Sequence, residues 1–248
     1  MQFKPHERDA IGRWRVGETR INRFLAWLVI SWSQRVMTRH NRLTVDGLER
    51  LEALFERGDR GLLTYSNHVS RLDDPLLVSN FGLADLPYDR MRWVAADALK
   101  LFSTRLSAFI FSAGKCVPIV RGGGLDQPGL DFLSQRLSDG DWVHIFPEGG
   151  ASRDPEGWLR HPFKIGIGRL IAETQPLTLP FYHSGMQRVA PHRSRPRRGH
   201  HVHVLFGESK DCDARFVQEL GGGKPRELWQ KITDWSHTIL NDLEQRVR

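Results

Sequence analysis

Asn67-His68-Val69-Ser70-Arg71-Leu72-Asp73-Asp74-Pro75 follows the apolar run Gly61-Leu62-Leu63-Thr64-Tyr65-Ser66. The run is short and bounded, as a buried strand is. Asp74-Pro75 reads as a helix start, with Asp74 as N-cap and Pro75 at the first helical position. His68 therefore falls on a strand-to-helix turn, the end of the strands at which open α/β sheets bind ligands. A neutral imidazole can take a proton from a hydroxyl, and a neighbouring carboxylate can fix its tautomer and stabilise the imidazolium. Five residues across a turn let Asp73 fold back onto the His68 ring, so His68 and Asp73 are the candidate catalytic pair. A bare His-x4-Asp also arises when a turn histidine precedes two capping residues. The rest of the chain must decide.

Outward from that turn, strand and helix patterns alternate. Val45 to Leu54 leads into a short helix. Met91 to Ala96 reads as a strand, and Asp97 caps a helix from Ala98 to Ser112 whose Leu99, Phe102, Leu106, Phe109 and Ile110 fall at helical spacing. Lys115 to Val120 is a third strand, placed at an edge or bulge by Pro118. Pro128 to Ser138 is a helix and Trp142 to Phe146 a buried strand running into Pro147-Glu148-Gly149-Gly150. Phe163 to Glu173 is a helix whose Gly166 and Gly168 point to close packing. Leu177 to Tyr182 and His201 to Phe206 are strands, separated by a basic loop with Arg188, Arg193, Arg195, Arg197 and Arg198. Gly221 to Gly223 is a linker to a last helix with an apolar stripe of Leu228, Ile232, Trp235, Ile239 and Leu243. The expected fold is α/β, a three-layer α/β/α arrangement with a largely parallel, mixed sheet and an N-terminal interfacial helix. Three segments are expected: 1–42 as the interface helix, 43–220 as the α/β domain, and 221–248 as a helix packed on it.

The 248 residues can bury a full core, and 40% apolar with 26% charged residues excludes a disordered chain. The formal charge of +7 points to an anionic partner surface. Two cysteines, Cys116 and Cys212, make neither a disulfide framework nor a zinc cluster. The first twenty residues are polar and charged, unlike a signal peptide. Phe24 to Ile30 is continuously apolar but far shorter than the roughly 20 residues needed to cross a bilayer. Flanked by Arg23 and Arg35, it reads as a helix lying in a membrane interface, or as a core helix. Phe24, Leu25, Trp27 and Leu28 there, with Phe109 and Phe111 on the later helix, are the candidate membrane contacts. A peripheral or monotopic association follows as the expectation.

Several motifs are absent or incomplete. No G-x-S-x-G elbow is present, Gly166-Ile167-Gly168 lacks its third glycine, and Gly223-Lys224 runs into Pro225 instead of Ser or Thr. His201 and His203 share a strand face without a third ligand nearby in sequence, so a solvated edge fits better than a metal site. Three blocks do agree. If the strands are parallel, His68, Arg121 and Glu148 follow strand ends at one edge of the sheet. That set offers a general base, an arginine whose fork suits phosphate, and glycine N–H groups suited to an oxyanion.

Ser66-Asn67-His68 with Asp73-Asp74-Pro75, then Gly114 to Pro118 with Arg121-Gly122, then Asp139 to Gly149 with its Phe146-Pro147-Glu148-Gly149 ending, resemble the glycerolipid acyltransferase superfamily. Within it, the tafazzin-like phospholipid–lysophospholipid transacylases of cardiolipin remodelling are the more similar. Gly166 to Glu173 and His183 to Met186 also fit, and the likeness spans roughly Leu62 to Gly207. From Gly150 onward the sequence diverges from that form. The resemblance implies that His68, oriented by Asp73, deprotonates a lysophospholipid hydroxyl that attacks an acyl carbonyl. It implies an oxyanion held by backbone N–H groups near Gly149 and an acceptor phosphate on Arg121. Glu148 holds the acceptor or orders that arginine, and Asn67, Phe146, Pro147 and Gly149 line the substrate site. No metal, other cofactor or covalent intermediate is required. The implied partners are phospholipid, lysophospholipid and an anionic membrane surface, bacterial inner or mitochondrial, and not a nucleic acid. An acyl-CoA-dependent lysophospholipid (1-acylglycerol-3-phosphate type) acyltransferase would use the same residues. A non-catalytic binder of anionic membrane or nucleic acid would need only the charge, and would leave the ordered motifs unexplained.

Overall fold

The computed structural model describes residues 3–248 apart from 18, 59, 82–86, 193 and 222. Arg193 of the basic loop and Gly222 of the glycine linker therefore lie outside the described residues.

In chain order, α1 (Pro5–Arg13) and α2 (Arg20–Gln34) precede a wide π turn at Arg35–Arg39. Then follow β1 (Arg42–Asp46), α3 (Leu48–Arg57), β2 (Leu62–Ser66), α4 (Asp73–Leu77), β3 (Trp93–Asp97), α5 (Ala98–Leu101), α6 (Arg105–Ala113) and β4 (Cys116–Ile119). The second half is α7 (Pro128–Ser138), β5 (Trp142–Ile145), α8 (Gly166–Thr174), β6 (Leu177–Ser184), α9 (Met186–Val189), β7 (His201–Phe206), β8 (Lys210–Asp211), α10 (Ala214–Glu219) and α11 (Pro225–Val247).

The described strands form one sheet in the order β1-β7-β6-β2-β5-β3-β4, with β8 paired to β6. Pairings are parallel except those of β6 with β7 and β8. β2 sits in the middle, and all five of its residues are buried. Its alternation feeds two cores. Leu62 joins Leu51, Leu76, Phe181 and Phe206 on one face, while Leu63 and Tyr65 join Leu133, Ile167, Ile232 and Leu243 on the other. The sandwich is thus α/β/α as its continuous apolar strands predict. Pro118 lies in β4 at the sheet edge, where its missing N–H leaves no ladder bond unmade.

α11 closes the second face. Gly168 in α8 lets it approach: a Cβ there would lie 1.8 Å from the Trp229 carbonyl oxygen.

Three local expectations change. Asp74 does not cap α4; Leu72 holds the cap position, and Asp74 pairs instead with the buried guanidinium of Arg92. The helix expected over Ala98 to Ser112 is two. Asp97 caps the first by accepting from the Leu99 and Lys100 N–H groups. Thr104 and Ser107 then exchange a reciprocal capping box that starts the second. Finally, the polar N-terminus contains α1, whose Ala10 is buried in a third cluster with Phe102, Ala108 and Val120.

Candidate active site

His68 lies on the turn leaving β2, two residues past the strand end. Its Nδ1 is 2.9 Å from Asp73 Oδ2. The same oxygen accepts from the backbone N–H groups of Val69, at 2.7 Å, and Ser70, at 2.8 Å. Three donors converge on a fully buried carboxylate at the first residue of α4. Because a carboxylate accepts, Nδ1 of His68 carries the hydrogen and Nε2 keeps its lone pair. The ring stacks on Phe146 with centroids 4.1 Å apart and planes at 20°. Its peptide is held on both sides: the His68 N–H donates to Glu148 Oε1 at 2.5 Å, and the His68 carbonyl accepts from the Ser152 N–H at 2.6 Å. Ring rotation and main-chain shift are both restrained, which is what a proton-transferring group needs.

The residues expected beside His68 divide. Since β2, β5, β3 and β4 are mutually parallel, the blocks after β2, β4 and β5 do come to one edge. Phe146 supplies the stacking face. Pro147 accepts from the Lys164 N–H at 2.7 Å. Gly149 takes a left-handed φ of 69°, and its N–H is taken up inside the turn by the Phe146 carbonyl at 3.0 Å. Arg121 pairs through Nε with Asp97 Oδ2 at 3.1 Å, and its guanidinium lies over Gly150, where a Cβ would come within 2.7 Å of Nη1.

Two of the expected residues are drawn into the interior. Glu148 does not order Arg121, whose carboxylate partner is Asp97. It is buried, and its second oxygen accepts from the Arg160 N–H at 2.9 Å. Burial pushes its carboxyl up to about 8, against the downward pull of those two N–H groups. Asn67 is fully buried too. Its carboxamide donates to the His183 carbonyl and accepts from the His183 N–H, each at 2.9 Å, so it joins β2 to β6.

The sequence did not point to Ser152 or to Asp97 as the partner of Arg121, and it offered His183 only within the His183 to Met186 block. Asp97 left a signal as a helix cap. His144 is likewise buried behind Phe146, with burial lowering it to about 3. Among the described residues, no group of three or more His, Cys, Asp or Glu is placed to hold a metal ion. His201 instead meets Thr44, and His203 meets Asp46.

α2 turns its sides in an unusual way. Its buried residues are Asn22, Ala26 and Ser33, while Ile21, Phe24, Trp27, Leu28, Val29 and Trp32 are exposed. It packs beside α6, which buries Ala108, Ser112 and Ala113 and exposes Leu106, Phe109 and Ile110. Of the six candidate membrane contacts, Phe24, Trp27, Leu28 and Phe109 are exposed. Leu25 and Phe111 are half-buried, Phe111 against the third cluster. Among the described residues no helix is long and apolar enough to cross a membrane.

Comparison with known proteins follows the same lines. The family model described as Acyltransferase matches residues 42–184, more than half of the chain and all of the site above. An N-acylphosphatidylethanolamine synthase from Arabidopsis thaliana is 34% identical over 88% of this chain and 80% of its own. A protein named Taffazin from Dictyostelium discoideum is 36% identical over 76% of this chain and 69% of its own. The crystal structure of the 1-acyl-sn-glycerophosphate acyltransferase PlsC from Thermotoga maritima superposes with a TM-score of 0.63 at 17% identity, covering 95% of this chain and 86% of that one. That structure shares the fold. With the matched segment spanning β1 to the end of β6 and relatives this similar over most of their length, the chain belongs to the Acyltransferase family, in the tafazzin-like branch of the glycerolipid acyltransferases.

Proposed function

We propose that this enzyme moves a fatty acyl chain from a phospholipid to a lysophospholipid, with His68 as general base. One observation carries the reading: His68 Nδ1–H donates to a carboxylate that two backbone N–H groups hold in place, which leaves Nε2 as the basic atom. In this mechanism Nε2 takes the proton of the acceptor hydroxyl as that oxygen attacks the acyl carbonyl. The imidazolium, stabilised by Asp73, returns the proton to the leaving lysophospholipid oxygen. Arg121, held by Asp97 through one nitrogen, binds the acceptor phosphate with the rest of its fork. The outward apolar faces of α2 and α6 lay the protein on the bilayer, where both lipids reside.

The test uses purified protein, labelled phospholipid and unlabelled lysophospholipid in vesicles, without CoA. Label should reach the acceptor and vanish in His68→Ala. Arg121→Lys should raise the acceptor concentration needed, because it keeps charge and loses the fork. Transfer that requires added acyl-CoA would overturn the phospholipid donor. Label arriving on the amine of phosphatidylethanolamine would overturn the hydroxyl acceptor. A folded, active His68→Ala protein would overturn the base.

A further inference from the structure

His183 stands next to the His68 turn. β6 runs parallel to β2 with Phe181 opposite Ser66, so His183 flanks the chain as it leaves β2. The two bonds between the Asn67 carboxamide and the His183 backbone already join the strand ends. The imidazole adds something else. Its Nε2 is 3.0 Å from the Asn67 carbonyl oxygen, the peptide just before His68. A carbonyl only accepts, so Nε2 carries the hydrogen. Nδ1 is buried without a hydrogen-bond partner among the described residues, as the bare lone pair of the neutral ring. Burial lowers the ring's proton affinity, and the opposing Asp73 charge does not reverse this.

The same Nε2–H lies 3.7 Å from Asp73 Oδ2, the oxygen that orients His68. Ser66 Oγ also donates to the Asn67 carbonyl, at 3.1 Å, so two donors hold that oxygen. The titratable groups around His183 are Asp73 from the start of α4, His68 from the turn, and His144 from β5. On its own strand it meets only the Phe181 ring, 6.5 Å away.

We propose that His183 is a positioning residue for the general base: as the neutral Nε2–H tautomer it fixes the Asn67–His68 peptide and draws charge from the Asp73 oxygen that holds His68. This inference rests on His68 acting as the base. Loss of the Nε2–H leaves Asp73 with one dipole fewer, so it holds the His68 imidazolium more tightly and less of the ring is free to take a proton at a given pH.

Three variants separate the possibilities. Gln places an amide N–H near the position of Nε2, Asn is too short to reach, and Phe has no donor. In His183→Asn and His183→Phe, kcat should fall about tenfold or more, with KM for lysophospholipid within about twofold of wild type. The acid limb of the rate profile should move to higher pH. In substrate-free enzyme with labelled histidine, the low-field proton resonance of His68 Nδ1–H should shift in both variants. His183→Gln should restore rate, profile and resonance. If His183→Phe does not melt cooperatively, His183→Asn decides. A folded Asn variant with wild-type kcat, acid limb and resonance would overturn the proposal, as would a folded Gln variant as impaired as the Asn one. If the wild-type enzyme transfers no acyl group, the acyl-transfer reading fails. The resonance then decides the role of His183 without it.

Discussion

Asp73 and Asp74 are adjacent and do unrelated work. Asp73 gathers three N–H groups around His68, whereas Asp74 is the charge partner of Arg92, whose side chain is 8% exposed. Removal of a helix cap costs about 1 kcal/mol, but a buried guanidinium stripped of its partner costs about 3–5 kcal/mol. Asp74→Ala should therefore lose stability in the larger range in urea denaturation, and adding Arg92→Met should recover part of it. A loss near that of a cap would show that Arg92 finds water. Glu148 gives a pH signature. Its carboxyl is held at about 8 in the folded chain against an ordinary 4.5. The folded state thus binds the extra proton between those values, and its contribution is full below 4.5 and lost as pH rises toward 8. Glu148→Gln cannot ionise, so the stability gap between wild type and variant should narrow from pH 5 to 8 in denaturation curves. A constant gap would mean that Glu148 does not titrate in that window. The His68–Asp73 contact was legible because it closes over five residues. Asn67 with His183, Glu148 with Arg160 and Arg121 with Asp97 were not, because folding alone brings those segments together.

At the scale of elements, the apolar run of α2 announced a helix, but not which side of it would face out. That depends on α6 and α4, which leave room only for Asn22, Ala26 and Ser33. The result is a helix with small residues inside and aromatic ones outside, Phe24 stacked on Trp27 with centroids 5.9 Å apart. Exposed side chains contribute little to folding, so Trp27→Ala with Phe109→Ala should change stability by under about 1 kcal/mol. The pair should nonetheless abolish salt-resistant binding to vesicles in a flotation assay. Retained binding would place the contact elsewhere. The helix expected over Ala98 to Ser112 broke for a local reason, the Thr104–Ser107 capping box, which is weaker to the eye than the hydrophobic spacing around it.

Over the whole molecule, alternating strand and helix patterns sufficed for a three-layer sandwich, because β2 and β5 carry continuous apolar runs that only two-sided burial explains. The order of strands was not readable, nor was the antiparallel return of β7 that places β1 at the far edge, since register is fixed by contacts between distant segments. The charge of +7 acts at this scale too. Exposed charges are screened over about 10 Å at 0.1 M salt. Association with anionic vesicles should therefore slow as salt rises, while dissociation of bound protein, governed by apolar insertion, should change little in stopped-flow measurements. Salt-driven release of bound protein would assign the hold to charge alone.

The proposed seating of the outward aromatic face of α2 in a bilayer has a kinetic consequence. An enzyme seated in the bilayer surface meets its substrates in two dimensions, so what it senses is their mole fraction among lipids and not their molarity in the tube. At fixed total substrate, diluting the vesicles with an unreactive lipid should slow turnover, while diluting the whole suspension with buffer should not, as long as the protein stays bound. Removed from lipid, the same face is left against water, and the protein should then self-associate as its concentration rises unless detergent covers it.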